Sequence, residues 1–269
     1  MSGGLSLMSN KYCWWSIGDG IHGQMLRSVV KSMQDQNIEG DIHLWTDQDE
    51  IPGATVHKIE TNSFDKKHYL FKFNFLKEQV AKLDYEYFIF IDADSYFVKP
   101  LPYSPLDMMH GSPVHSFLES STSNVENIRY DWWSCWIPHY EELMRDCGVN
   151  STNVYNVNAG YWIVKKEAVK TFCELTSFFW GFAKSRGYEF TEEAPLAYAT
   201  HMMCGDAEKH TLTKYPDMWA SDWTGHFDNK LPVDEEWDFI DYFSMKPIKV
   251  RPSLVHCMRS KNVLSSMNQ

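Results

Sequence analysis

The chain has 269 residues, 25 of them Lys or Arg and 36 Asp or Glu, for a formal net charge of −11. So anionic a protein has no overall field for gripping nucleic acid, and none is expected as a partner. A hydrophobic share of 43% against 23% charged residues excludes general disorder, and the length is ample for a buried core.

In chain order, residues 1–10 lack a basic stretch followed by an apolar core, so no signal peptide is expected. Tyr12–Ile17 reads as a first strand ending in the sharp loop Gly18-Asp19-Gly20, followed by a helix over Gln24–Gln36. Asp41–Trp45 reads as a second strand closing in Thr46-Asp47, and Ala54–Ile59 as a third. Lys66–Leu83 has helical spacing, with Leu70, Phe73, Leu76 and Val80 on one face. Tyr87–Ile91 is wholly apolar, which suits the middle of a sheet covered on both sides. It and the other apolar runs are far short of the roughly 20 residues that span a bilayer. Strands alternating with helices imply an α/β fold around a mostly parallel sheet, whose ligands sit beyond the carboxyl ends of its strands. The loops after Ile17, Trp45 and Ile91 are therefore the places to look.

Cysteines 13, 135, 147, 173, 204 and 257 show no C-x-x-C spacing. They read as free thiols in a reducing compartment, and the expected location is cytoplasmic. His201 with Cys204, and Cys135 with His139, lack a second half-site and read as ordinary packing. Aromatic residues reach 15%. Two clusters, Tyr130–Trp136 and Trp219–Phe227, suit either stacking on sugar rings or an aromatic core, and Asp222–His226 reads as a segment entering the site.

The decisive segment is Phe88-Ile89-Phe90-Ile91-Asp92-Ala93-Asp94, followed by Ser95-Tyr96-Phe97-Val98-Lys99-Pro100. Two carboxylates one residue apart at the end of a buried strand repel each other unless a cation lies between them. Hard divalent ions such as Mn²⁺ or Mg²⁺ take carboxylate oxygens and keep positions for phosphate oxygens. A solvated acidic turn is the plain alternative.

Tyr85–Asp94 resembles the strand and metal motif of GT-A-fold glycosyltransferases, in particular the retaining, metal-dependent glycogenin-like and blood-group-transferase-like groups. The resemblance runs over most of the chain as an ordered set of short motifs. It implies a Rossmann-like single domain over residues 1–269, with a nucleotide-binding half at about 11–100 and a donor-sugar and acceptor half at about 101–269. Ile42–Asp47 resembles the second strand of the nucleotide half, and Ile17, Asp19 and Asp47 become candidates for the nucleotide. Lys72 matches a basic position facing the aspartates or the diphosphate. Asn158-Ala159-Gly160-Tyr161-Trp162-Ile163-Val164 resembles the strand lining the donor-sugar pocket, with Asn158 as a sugar contact. Glu192-Glu193-Ala194-Pro195-Leu196 resembles the acidic pair that opens a later helix. Val255-His256 and Lys261 resemble the C-terminal His and Lys of the metal and diphosphate site. Two departures stand out: His256-Cys257-Met258-Arg259-Ser260-Lys261 lacks the Gly of the glycogenin-like signature and is one residue shorter, and Glu192 stands where Asp is common.

The resemblance implies a Mn²⁺- or Mg²⁺-dependent transferase using a nucleotide-diphosphate sugar, expected to be UDP-linked, with a glycan or other hydroxyl acceptor and retention of configuration. Asp92, Asp94 and His256 would hold the metal, Lys261, Arg259 and Lys72 the diphosphate, and Glu193, with Glu192 as its alternate, would act beneath the reacting sugar. Two other readings stay open. A sugar-nucleotide-forming nucleotidyltransferase would carry a basic Gly-rich loop after the first strand, which Ile17-Gly18-Asp19-Gly20 lacks. A glycan-binding module would use the aromatic clusters without turnover.

Overall fold

The structure is a computed structural model that describes residues 11–60, 70–121, 137–151, 154–188, 190–204, 214–215, 217–221, 236–241 and 246–257. The chain opens with β1 (Tyr12–Gly18) and α1 (Ile21–Asp35), then β2 (Asp41–Thr46), β3 (Thr55–Lys58), α2 (Phe71–Glu78), β4 (Tyr87–Ile91) and β5 (Ser95–Phe97). After the short α3 (Pro105–Met108) come β6 (Val114–Ser121), α4 (Ile137–Asp146), β7 (Tyr155–Lys165), α5 (Val169–Ser185) and α6 (Glu193–Cys204). Strands β8 (Trp219–Ser221), β9 (Trp237–Asp241), β10 (Lys246–Val250) and β11 (Leu254–His256) complete the described chain.

Six strands form one mixed sheet in the order β3-β2-β1-β4-β7-β6. Strands β1 to β4 are parallel neighbours, whereas β7 runs against both β4 and β6. The sheet is thus not purely parallel: β7 alone is reversed, which brings its first residues, not its last, to the rim where β1, β2 and β4 end. Two smaller sheets, β5-β11-β8 and β10-β9, lie apart from it.

The apolar run of β4 is buried on both faces, as its composition requires. Phe88 and Phe90 join Trp15, Trp162, Phe73 and Phe172 in one core layer, and Ile89 and Ile91 join Trp14, Met25, Leu26 and Val29 in the other. The stripe Leu70, Phe73, Leu76 and Val80 is buried as its spacing predicts. The expected helix over Lys66–Leu83 is shorter, though: α2 ends at Glu78, Gln79 leaves helical geometry, and Val80–Lys82 continue as a 3₁₀ turn. Residues 66–69 of that expected helix lie outside the described residues.

The largest fully buried side chains are aromatic, including Trp14, Trp15, Trp162 and Trp219. Trp219 stacks on Phe117 with ring centres 5.8 Å apart, so its ring belongs to the core. Tyr130–Trp136 and Asp222–Phe227 lie outside the described residues. The five described cysteines, Cys13, Cys147, Cys173, Cys204 and Cys257, are free thiols. No described helix is long and apolar enough to cross a membrane.

Helix α1 starts three residues before the sequence expectation, for a tertiary reason. Gly20 takes φ 56°, a conformation that suits glycine, and its N–H donates to Asp47 Oδ2 at 2.9 Å. The cap at this helix start comes from the end of β2, 27 residues away, not from a local side chain.

Two neighbouring residues of β7 tie down α6. Tyr155 N–H donates to His201 Nε2 at 3.2 Å, and Asn156 Nδ2 donates to Glu193 Oε2 at 3.3 Å. Burial pushes the His201 pKa down to about 4 from the ordinary 6.5. The unfolded chain therefore binds a proton here that the folded one refuses. Stability is unaffected by His201 above about pH 6.5 and falls as pH drops from there towards 4, by up to about 3 kcal/mol. His201→Gln, whose amide oxygen still accepts from Tyr155, is expected to flatten that part of the acid limb in urea titrations between pH 7 and 4. An unchanged limb would show that His201 does not set it.

Candidate metal centre

The carboxyl ends of β1, β2 and β4, together with the start of β7, form one rim. At its centre β4 stops at Ile91, and Asp92 N–H donates back to Gly160 O at 2.9 Å. A turn closed by Ser95 N–H on Asp92 O carries the chain into β5. That short strand pairs antiparallel with β11, setting His256 opposite Ser95, and Cys257 N–H donates to Asp94 O at 2.7 Å. The pairing brings a histidine 162 residues away onto the aspartates: His256 Nε2 lies 3.1 Å from Asp94 Oδ1 and 3.6 Å from Asp92 Oδ2.

Asp92, Asp94 and His256 each offer a ligand atom, and these atoms lie within 4.8 Å of one another. Asp94 and His256 are buried, and Asp92 is partly so. Lys72, from α2, completes the group. Its Nζ lies 2.8 Å from Asp92 Oδ1 and 2.8 Å from Glu192 Oε1, over the Phe90 ring. The result is a line of charges running Glu192, Lys72, Asp92, His256, Asp94.

The electrostatics follow from this line. Burial disfavours charge on Lys72, but Asp92 and Glu192 overrule it and hold the ammonium form above the ordinary lysine range. Burial raises the Asp92 pKa, Lys72 opposes that rise, and the neighbouring Asp94 charge adds to it. At His256 burial opposes the charged form, while Asp94 and Asp92 favour it more and the pKa rises. Three carboxyl groups crowd one obligatory cation in a water-poor setting, an arrangement that favours a further cation there. Two carboxylate oxygens and an imidazole nitrogen within reach of one point are the donor set of Mn²⁺-like ions.

The backbone is shaped around this centre. The β6–β7 register breaks between Leu118↔Val157 and Ser116↔Trp162, so 158–161 leave the ladder with β6 as an irregularity of the kind common beside functional sites. Within it Asn158 Oδ1 accepts from Gly160 N–H at 2.7 Å. Gly160 has no room for a side chain: a Cβ there would lie 2.6 Å from His256 Nδ1 and 2.9 Å from Asn158 Oδ1. Gly160→Ala must therefore push the imidazole off its seat. Mn²⁺ affinity, read by isothermal calorimetry, is expected to fall by about 10- to 100-fold, the usual cost of disturbing a ligand's support. Gly181→Ala, in α5 with nothing near its Cβ, is the control and should leave binding unchanged.

The other predicted residues divide. Lys72, Asp92, Asp94, His256, Glu192, Asn158 and Gly160 are brought together. Glu193 opens α6 and meets Asn156, a residue the sequence reading passed over although it lies one strand period before Asn158. Asp47 is committed to the start of α1, where a Cβ on Gly23 would also strike its Oδ1 at 2.5 Å. Asp19 is 2% exposed in the loop after β1. Ile17 packs its side chain into the core layer of Trp45 and Phe73, leaving only its main chain for a ligand. Lys261 and Arg259 lie outside the described residues. Compared with models of known protein families and with curated protein sequences, the chain matches none.

Proposed function

We propose that the protein is a GT-A-type glycosyltransferase, dependent on a divalent metal, that moves a sugar from a nucleotide-diphosphate donor, UDP-linked, to a hydroxyl acceptor with retention of configuration. One observation carries the reading: an Asp-Ala-Asp doublet and a histidine from a distant strand converge at the carboxyl end of the central strand, against a glycine that leaves space for nothing else. A mixed α/β sheet with this cluster at its rim is compatible with that fold.

The donor set fits Mn²⁺ or Mg²⁺, held by Asp92, Asp94 and His256. When bound, such an ion supplies positive charge against the diphosphate as the glycosidic bond breaks. The chain's own residues do the rest. Lys72 opposes the burial-driven rise of the Asp92 pKa and tethers Glu192 at the same rim. Gly160 gives the His256 imidazole its seat against β7, and Asn158, which braces that turn, is the candidate contact for the donor sugar. Glu193, held by Asn156, presents a carboxylate to the positive charge that develops on the sugar ring. Lys261 and Arg259 are the further candidates for the diphosphate.

The test is a panel of UDP-, GDP- and TDP-sugars assayed for slow donor hydrolysis with Mn²⁺ and with EDTA. Metal-dependent release of the nucleoside diphosphate is the expected result. Failure to bind or hydrolyse any donor in Mn²⁺ would refute the reading.

A further inference from the structure

Asn156 is 4% exposed, on the stretch of β7 that leads to Asn158 and Gly160. Its Nδ2 donates to Glu193 Oε2 at 3.3 Å. An ionised carboxylate only accepts hydrogen bonds, so this contact fixes which way round the amide sits: nitrogen towards Glu193, oxygen away from it. That oxygen, Oδ1, is buried and has no hydrogen-bond partner among the described residues. A buried carbonyl left without a donor is unusual in a folded protein and calls for an explanation. A residue serving only to tether Glu193 gains nothing from it. Asn156 pairs with Ser120 of β6 just beyond a shift in register between Leu118↔Val157 and Ser120↔Asn156, so its backbone is fixed beside an irregularity of the strand.

From this geometry we infer that Asn156 is a specificity-determining residue whose Oδ1 accepts a hydrogen bond from one hydroxyl of the donor sugar while its Nδ2 holds Glu193. The inference rests on the glycosyltransferase reading and goes beyond it. An amide oxygen can only accept, so the ligand group opposite must be a donor, and the donors that neutral sugars share are their hydroxyls. A site built around such an acceptor rejects the sugar that lacks the hydroxyl, because the carbonyl is then left buried and unpaired. Asn156 would thus couple sugar choice to the placement of the carboxylate that faces the reacting ring.

The experiment measures Mn²⁺-supported binding of UDP-glucose, UDP-galactose, UDP-N-acetylglucosamine and their 2-, 3-, 4- and 6-deoxy analogues, by calorimetry, to the native chain and to Asn156→Ala. One deoxy analogue is expected to bind the native chain about tenfold more weakly than its parent, and the variant should bind that pair equally. If Asn156→Ala weakens parent and all analogues by one common factor, or changes none of them, the oxygen holds only water or structure and the inference falls while the glycosyltransferase reading stands. If the native chain binds no sugar nucleotide in Mn²⁺, both fall. Asn156→Ser, with the same comparison, replaces the alanine variant should that one melt below the assay temperature.

Discussion

Asp94→Asn is expected to lower Mn²⁺-supported donor hydrolysis by about 10²- to 10³-fold, the scale on which removal of one preorganised electrostatic group acts. The substitution keeps the shape of a side chain that is 6% exposed and leaves an oxygen able to accept from His256, while removing one of the two charges that share the centre. The ion-free protein should therefore lose little stability, because the repulsion between Asp92 and Asp94 is relieved as the contact with His256 weakens. The two effects part company when metal is added. An ion at a hundred times its dissociation constant stabilises a folded protein by about 2.7 kcal/mol. The native chain should show a matching rise in melting temperature with Mn²⁺, and Asp94→Asn should show none. A variant with the native metal response would remove Asp94 from the ligand set.

Lys72→Met is expected to destabilise the ion-free protein by about 3–5 kcal/mol in urea at pH 7, the cost of stripping the partner from a buried charge. The size follows from position. The Lys72 side chain is 10% exposed and lies between two carboxylates at 2.8 Å, so its loss strips both Asp92 and Glu192 of the cation that joins them. Methionine matches the aliphatic stem and keeps the contact with Phe90, which separates lost charge from lost packing. Adding Glu192→Gln should restore part of the loss, because one of the stranded charges disappears. Mn²⁺ should restore another part through Asp92. If the single variant were as stable as the native chain, the line of charges would carry no structural weight.

How far the site was readable can be judged residue by residue. Asp92 and Asp94 declared themselves because an apolar five-residue strand and an acidic doublet are both local patterns, and a strand buried on both faces has no place for paired charges. The buried stripe of α2 was legible for the same reason, since helical period is a property of neighbours. Lys72 and Glu192 were each visible as candidates, but their meeting was not: 120 residues separate them, and only the tertiary fold, with α5 packed against both α2 and α6, joins them. Asn156 was passed over because one asparagine in a strand looks like another until its partner is known. The aromatic richness pointed towards sugar stacking and core alike, and for Trp219 burial decided on core.

Sequence alone determined the α/β alternation, the buried central strand and the acidic doublet that closes it, because these depend on side-chain polarity along a few consecutive residues. Tertiary structure decided the rest. The reversal of β7 puts its first residues at the rim, β11 pairs with β5 and delivers His256, and Asp47 caps a helix 27 residues before it. Each of these is a contact between segments far apart in the chain, set by which strand edges and helix ends remain to be satisfied once the core has closed. A linear pattern does not encode such choices residue by residue.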